Sequence, residues 1–517
     1  MMADVPEHWV STTVLEIAEL VRGVTYKKEQ ARDESGPGLV PLLRANNIKQ
    51  HLLLDDQLVY VPVDVVKDDQ RLRPNDVVLA MSSGSKSVVG KTARFHGAEA
   101  PFTFGAFCGV LRPSPDIDST YFALALQSPV YRRYVSTVAA GVNINNLRRA
   151  HLEDYQIPVS PLLEQQAIAA KVEALFSELD AGVAHLEAAR ALLTRYRQSV
   201  LKAAFEGRLT AEWRAQRRRE AEAAGPGAAE PLPTAQDLLE QIEAERRARA
   251  EQQHAEWVRA VEAWEAAGGK NSGTKKPRRP ARPKDPPPLT EEELESLPEL
   301  PEGWVWVRLA SISEVTGGLT KNAKRASFPM KVPYLRVANV YAGRLELAEV
   351  KSIGVTADEM AKTLLKTDDL LFVEGNGSAD QIGRVARWTG EFEPVSHQNH
   401  LIRARCSHPA MAGYLLQWFL SPGGRTRIMR EASSTSGLHT LSISKISMLP
   451  VPVAPMEEQD AVAHQVEEAL SGVSASMQSV AEAIAQATAL RQSILKRAFE
   501  GRLLDEAELE AVRSHPD

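Results

Sequence analysis

The stretch Arg197–Leu209, RQSVLKAAFEGRL, returns near the C-terminus as Arg491–Leu503, RQSILKRAFEGRL, with two changes in thirteen positions. The offset of 294 holds without a gap back to Ile157, which falls opposite Val451. A period covering about half of a 517-residue chain is far too long for a solenoid unit, so a whole module is duplicated. Any fold for this chain must therefore accommodate two related copies of one architecture.

Weaker matches extend the duplication toward the N-terminus of each copy. Pro6-Glu7-His8-Trp9-Val10 corresponds to Pro301-Glu302-Gly303-Trp304-Val305, and Val40–Arg44 to Val332–Arg336. Asn47 corresponds to Asn339, Gly84-Ser85 to Gly377-Ser378, Gly90 to Gly383, Tyr121 to Tyr414 and Ser128-Pro129 to Ser421-Pro422. The offset wanders between 292 and 295, so framework positions repeat while the polar loops between them diverge. Two copies of one fold with different binding surfaces would look like this.

The first copy opens with short β-rich runs. Leu39–Leu43 and Val77–Met81 are strand candidates, followed by the polar turns Arg44–Asn47 and Ser82–Lys86. Tyr121–Val135 has helical spacing, and Gly141–Asn146 is another polar loop. Each copy then enters a long helix. Ser160 and Pro161 suit its N-cap and first position. Apolar residues recur at Ile168, Val172, Leu175, Leu179, Val183, Leu186, Leu193, Tyr196 and Val200. The second copy repeats the pattern at Val462, Val466, Ala469, Val473, Met477, Val480, Ile484, Ala487, Leu490 and Ile494. Steps of three, four or seven mark a coiled-coil seam, and Gly207 and Gly501 are natural stops. A helix this long with one apolar stripe needs a partner, and the nearest is its twin in the same chain.

The domain organisation expected is a first globular domain at 1–157 and a first long helix at 158–210. A charged helical insert with a Pro-rich basic linker fills 211–298. A second globular domain follows at 299–450, then a second long helix at 451–505 and a tail at 506–517. Within the insert, Thr234–Asp237 resembles a capping box opening a charged helix through Ala267, and Gly268–Pro288 reads as a flexible, solvated linker.

Composition bounds the function classes. Two cysteines at non-equivalent positions, Cys108 and Cys406, argue against a disulfide framework or zinc ribbon and fit a reducing compartment. The opening MMADVPEHWV lacks signal-peptide character, and the apolar run Tyr414–Leu420 is far too short to span a bilayer, so a soluble cytoplasmic protein is expected. Net charge is −6, unfavourable for a polyanion binder, yet the local face decides. Pro301–Pro450 carries 18 Lys and Arg against 13 Asp and Glu, whereas Met1–Ile157 carries 17 against 18.

No catalytic constellation stands out. Gly84–Thr92 nearly spells a phosphate-binding P-loop, which would make the chain a nucleotide hydrolase. Five residues separate its glycines where four are required, and no long helix is expected after it. Asp285-Pro286-Pro287-Pro288 approximates an amino-methyltransferase motif but lacks its aromatic residue. His397-Gln398-Asn399-His400 has no third ligand nearby for a metal. A coiled-coil scaffold without sequence preference is the other alternative.

What remains are polar loops suited to base edges and phosphates. In the first copy they hold Arg44, Asn46, Asn47, Ser82, Ser85, Lys86, Asn143, Asn145, Asn146, Arg148 and Arg149. In the second they hold Arg336, Asn339, Asn376, Ser378, His397, Gln398, Asn399, Arg425, Arg427 and His439. Arg pairs bidentately with guanine, and Asn or Gln with adenine.

The chain resembles the specificity subunits of type I restriction-modification systems over nearly its whole length. The resemblance rests on the duplicated AFEGRL helix, the spacing Pro161, Gln165, Ile168 and Pro455, Gln459, Val462, and PE-x-W opening each half. The insert near 211–298 departs from compact members. The resemblance implies an α+β fold of two similar globular target-recognition domains. An intramolecular antiparallel coiled coil of two long helices would separate them in a pseudo-two-fold arrangement. It implies a non-catalytic subunit that reads a split, asymmetric site on double-stranded DNA. The helices would dock two methyltransferase (modification) subunits binding S-adenosylmethionine, and motor-nuclease (restriction) subunits would join the complex with ATP and magnesium. No cofactor is then expected on this chain.

Overall fold

The structure is a computed structural model describing residues 5–140, 144–223, 233–269, 275–280, 285–375, 381–432 and 440–514. Contacts divide the chain into two units, Met1–Arg190 with Gln478–Asp517 and Ala191–Met477. Each long helix therefore contributes to both.

In the first unit a four-stranded antiparallel sheet runs in the order Ala18–Arg22, Cys108–Pro113, Val77–Ala80, Thr92–Arg94. A three-stranded sheet pairs Leu39–Leu43 antiparallel with Val59–Pro62 and parallel with Thr103–Phe104. The domain's two ends are zipped by Val10–Thr13 against Gln156–Val159. The second unit repeats this arrangement. Its larger sheet is Ser313–Gly317, Leu401–Cys406, Leu370–Val373, Val385–Arg387. Its smaller one sets Met330–Leu335 between Lys351–Val355 and Ser396–His397, and Val305–Arg308 pairs with Pro450–Val453.

The central strands explain why these domains need continuous apolar runs. Val77 and Leu79 point into one core cluster, Val78 and Ala80 into another. Leu370 and Phe372, then Leu371 and Val373, divide in the same way. A strand buried on both faces shows a period of two in which both phases are apolar. Just before each strand sits a buried ion pair. Arg112 grips Asp76 at 2.8 and 2.9 Å, and Arg405 grips Asp369 at 2.7 and 2.7 Å. The span Tyr121–Val135 is two helices, Ser119–Ala125 and Pro129–Val138, because Ser128 caps the second and Pro129 starts it.

The long helices are Leu162–Phe205 and Met456–Phe499, 44 residues each, or roughly 66 Å at 1.5 Å per residue. Their recurring motifs are docking devices. Trp9 Nε1 donates to Glu164 at 2.9 Å, and Trp304 Nε1 donates to Glu458 at 2.8 Å. Gln165 and Gln459 each donate to a backbone carbonyl five residues upstream at 2.8 Å. The far ends are exchanged between copies. Phe499, from the second helix, lies edge-on to Tyr121 of the first domain, with ring centroids 5.1 Å apart. Phe205, from the first helix, lies edge-on to Tyr414 and Trp418 of the second domain, at 5.1 and 5.3 Å. Gly501 and Gly207 stand at φ 66° and 67°, where a Cβ would overlap the rings of Pro6 and Pro301 respectively. The AFEGRL end of each copy thus closes on the PE-x-W opening of the other.

Direction follows from two contacts in the first unit. Asp180 pairs with Arg491 at 2.6 Å, and the Trp9–Tyr121 ring pair joins Glu164, at the start of the first helix, to Phe499, at the end of the second, so one helix descends as the other rises. Arg491 also lies 3.9 Å over the Phe176 ring. Toward the middle the seam is only half covered. Leu179, Val183, Leu186 and Leu193 are half-buried, while Leu192, Tyr196 and Leu490 are 59%, 50% and 51% exposed.

The insert contains helices Ala211–Ala223 and Ala235–Ala266, the latter opened by the expected Thr234 capping box. Ala235, Leu238 and Ile242 enter the second unit's core. The basic segment beyond it is not simply solvated. Lys276 stacks on Trp264 and Arg279 on Trp257, at 5.7 and 5.5 Å, and Trp257 Nε1 donates to the Pro277 carbonyl. Cation–π contacts turn it back along the helix. Among the described residues no helix is long and apolar enough to cross a membrane.

Candidate nucleic-acid interface

The first domain carries an open cleft of about 890 Å³ where its two sheets meet. Arg44, Asn46 and Ser82 line it together with Lys28, Tyr26 and Phe107. Arg44 leaves the strand Leu39–Leu43 into a short 3-10 turn and is exposed, with its guanidinium donating to the Gln57 carbonyl at 3.0 Å. Asn46 donates to the Gln57 side chain at 2.9 Å. Ser82 donates to Asn146 at 2.8 Å across the two-residue pairing of Ser82–Ser83 with Asn145–Asn146. Ser85 and Lys86 are exposed on the loop beyond, and Arg148 and Arg149 are exposed at the start of helix Arg149–Asp154. Arg149 is already paired with Glu153 at 2.8 Å.

The loop Gly84–Thr92 is not a nucleotide cradle. Thr92 begins a β-strand, so no helix N-terminus faces the loop. Gly90, at φ 74°, packs against Val135, and Arg132 donates to the Val89 carbonyl at 2.8 Å. Lys91 is held below its ordinary pKa by burial and by the charges of Lys49 and Arg132, which marks a local concentration of positive charge on an otherwise balanced domain.

Four residues expected to face DNA are interior groups. Asn47 is fully buried, donates to the Asp56 carbonyl at 2.8 Å and accepts from the Arg44 N–H at 2.9 Å. Asn339 does the same with Glu346, Glu349 and Arg336 at 2.8 to 3.0 Å. Both asparagines close a loop from within. His397 is fully buried on a parallel-paired strand, with Nδ1 3.1 Å from the Thr363 carbonyl. Burial, helped by the Arg403 charge, pushes its pKa down to about 3. Asn145 is also buried, donating to the Ser83 and Gly84 carbonyls.

In the second domain Arg336 leans on Glu349, and Gln398 and Asn399 are half-buried in a turn. Arg425 donates to the Ile382 carbonyl beneath Gly383, the counterpart of Arg132 beneath Gly90. Arg427 donates to Ser296 of the linker and is thereby spent on intramolecular packing. Asn143, Asn376, Ser378 and His439 lie outside the described residues. Sequence reasoning passed over Tyr26, Lys28 and Phe107 in the first domain. It also passed over Tyr341, whose ring is approached by Arg344 at 4.5 Å and Arg384 at 5.1 Å. The available signal was an aromatic residue beside cations in a polar loop.

Comparison with known proteins fits this architecture. Residues 6–185 match the type I restriction modification DNA specificity domain. Over 505 residues the chain is 32% identical to the type I restriction enzyme EcoKI specificity subunit of Escherichia coli (strain K12), covering 96% of this chain and 90% of that one. The StySPI specificity subunit of Salmonella potsdam is 30% identical over 502 residues, with the same coverage. A solved chain described under "Structural basis underlying complex assembly and conformational transition of the type I R-M system" superposes with a TM-score of 0.59 at 14% identity. The superposition covers 96% of this chain and 99% of that one, and it bears on the fold alone. The chain belongs to the family of type I restriction enzyme specificity subunits.

Proposed function

We propose that this chain is the non-catalytic DNA-specificity subunit of a type I restriction-modification complex acting in the cytoplasm. Each globular domain reads one half of a bipartite, asymmetric duplex site, and the paired helices set the number of unread base pairs between the halves. In the first domain the readers come from the cleft holding Arg44, Asn46 and Ser82, with Ser85, Lys86, Asn146, Arg148 and Arg149 around it. In the second they come from the turns holding Arg336, Gln398 and Asn399. Two methyltransferase subunits dock on the helices, where Leu192, Tyr196 and Leu490 are left exposed by a two-helix pairing. S-adenosylmethionine binds those partners, and ATP and magnesium serve the restriction subunits.

The observation that carries the reading is the reciprocal closure of helix ends. One polypeptide builds two versions of one framework, each sealed by the other copy's AFEGRL segment. Joining two weak half-site readers raises affinity through effective concentration, and a stiff connection converts length into base-pair spacing. The test is methylome sequencing of a host carrying the complete system. A single two-part motif with a constant gap is expected. A contiguous motif, or methylation without sequence preference, would contradict the proposal.

A further inference from the structure

The two domains hold one turn in identical fashion and put different side chains at its tip. In the first, Gly105-Ala106-Phe107-Cys108 closes with the Cys108 N–H donating to the Gly105 carbonyl at 2.8 Å. In the second, Gln398-Asn399-His400-Leu401 closes with Leu401 donating to Gln398 at 2.8 Å. Gly105 N–H donates to Leu43, and Gln398 N–H donates to Leu335, each at 2.9 Å. The Phe107 carbonyl accepts from Met81 at 2.9 Å, and the His400 carbonyl accepts from Glu374 at 3.0 Å. Backbone bonds on both sides thus fix the third residue of each turn, Phe107 at the cleft that Arg44 lines and His400 beside Glu374.

At that shared position the framework invests a well-anchored backbone in an outward-facing side chain. Phe107 is 65% exposed at the rim of the cleft that holds Arg44, Asn46 and Ser82. An exposed phenyl ring on a rigid turn beside polar groups has no role in any of the three core clusters of its domain. His400 is also exposed, and its Nδ1 lies 2.7 Å from the Glu374 carboxylate, which orients the ring and leaves Nε2 as its remaining polar group. The residue three positions earlier, by contrast, is buried in both copies, as Phe104 and His397.

We propose that Phe107 and His400 are equivalent specificity-determining residues, one for each half-site. Phe107 packs on the 5-methyl group of a thymine, and His400 hydrogen-bonds a polar base edge. The chemistry follows from the side chains, since an apolar ring in the major groove recognises the thymine methyl and an imidazole nitrogen recognises donors and acceptors. The inference rests on the DNA-reading function proposed above.

The test uses the assembled complex with its methyltransferase subunits and duplexes carrying its own motif. Each thymine is replaced in turn by uracil, which lacks only the methyl group. The wild-type complex should show one sensitive position, in one half-site, with binding reduced about three- to tenfold. Phe107→Ala should abolish that sensitivity and leave the other half-site's preferences intact, while Phe107→Leu should retain part of it. His400→Ala should relax one base position in the opposite half-site and leave uracil sensitivity unchanged. The proposal is overturned if no uracil-sensitive position depends on Phe107, or if Phe107→Ala weakens binding equally for all sequences. Both variants alter exposed side chains, and co-purification with the partners confirms assembly. Loss of all sequence preference by the wild-type complex would instead refute the underlying function.

Discussion

Exposure separates residues that can meet a ligand from residues that hold the loop meeting it. Asn47 and Asn339 look like readers of adenine by type, yet their amides are consumed by backbone carbonyls and N–H groups. His397 sits where the first domain has Phe104, so its imidazole is a core group kept neutral by burial. This makes a pH prediction. An unfolded histidine titrates near 6.5, whereas folded His397 does so at about 3, so between these values only the unfolded chain binds the proton. Its contribution to stability is complete above about pH 6.5 and declines as pH falls toward 3. His397→Phe should flatten the dependence of the second unit's unfolding on pH between about 6.5 and 4, relative to the parent. Equal slopes in denaturation series of the two proteins would refute this. The buried histidine was legible in principle, because the offset of 293 aligns it with Phe104. The asparagines were not, because their partners Asp56 and Glu346 are fixed only when the loop closes in space.

At the scale of elements, the long helices were readable because a coiled-coil seam is a local, periodic signal. The exchange of their ends was not, since Gly207 meets Pro301 and Gly501 meets Pro6 across long separations. The sequence shows both motifs as repeats and is silent about which copy meets which. Four glycines test the exchange. Gly207→Ala and Gly501→Ala place a Cβ at positive φ against a proline ring and should each destabilise their unit by on the order of 1–3 kcal/mol. Gly182→Ala and Gly472→Ala, in the same helices with open space around the new methyl, should stabilise by about 0.5–1 kcal/mol. Thermal or chemical denaturation that gave all four changes the same sign would contradict the assignment of the helix ends. The insert teaches a related lesson. Prolines and cations suggested a solvated linker, but Trp257 and Trp264, seven residues apart on one helix, supply the faces on which Arg279 and Lys276 settle.

For the whole molecule, the duplication has one consequence above all: the two globular domains share one plan, and under the proposed function each reads its half-site independently of the other. The repeated framework includes the Arg112–Asp76 and Arg405–Asp369 braces, the Trp9–Glu164 and Trp304–Glu458 bonds, and the turns bearing Phe107 and His400. What differs is the exposed chemistry at equivalent positions, and base choice should travel with it. The most direct measurement is to replace residues 1–157 with the corresponding domain of another specificity subunit and sequence the methylome of a host carrying the hybrid complex. The account predicts that one half of the motif changes while the other half and the gap stay as they were. A hybrid that assembles and methylates with both halves altered, or with neither, would contradict it.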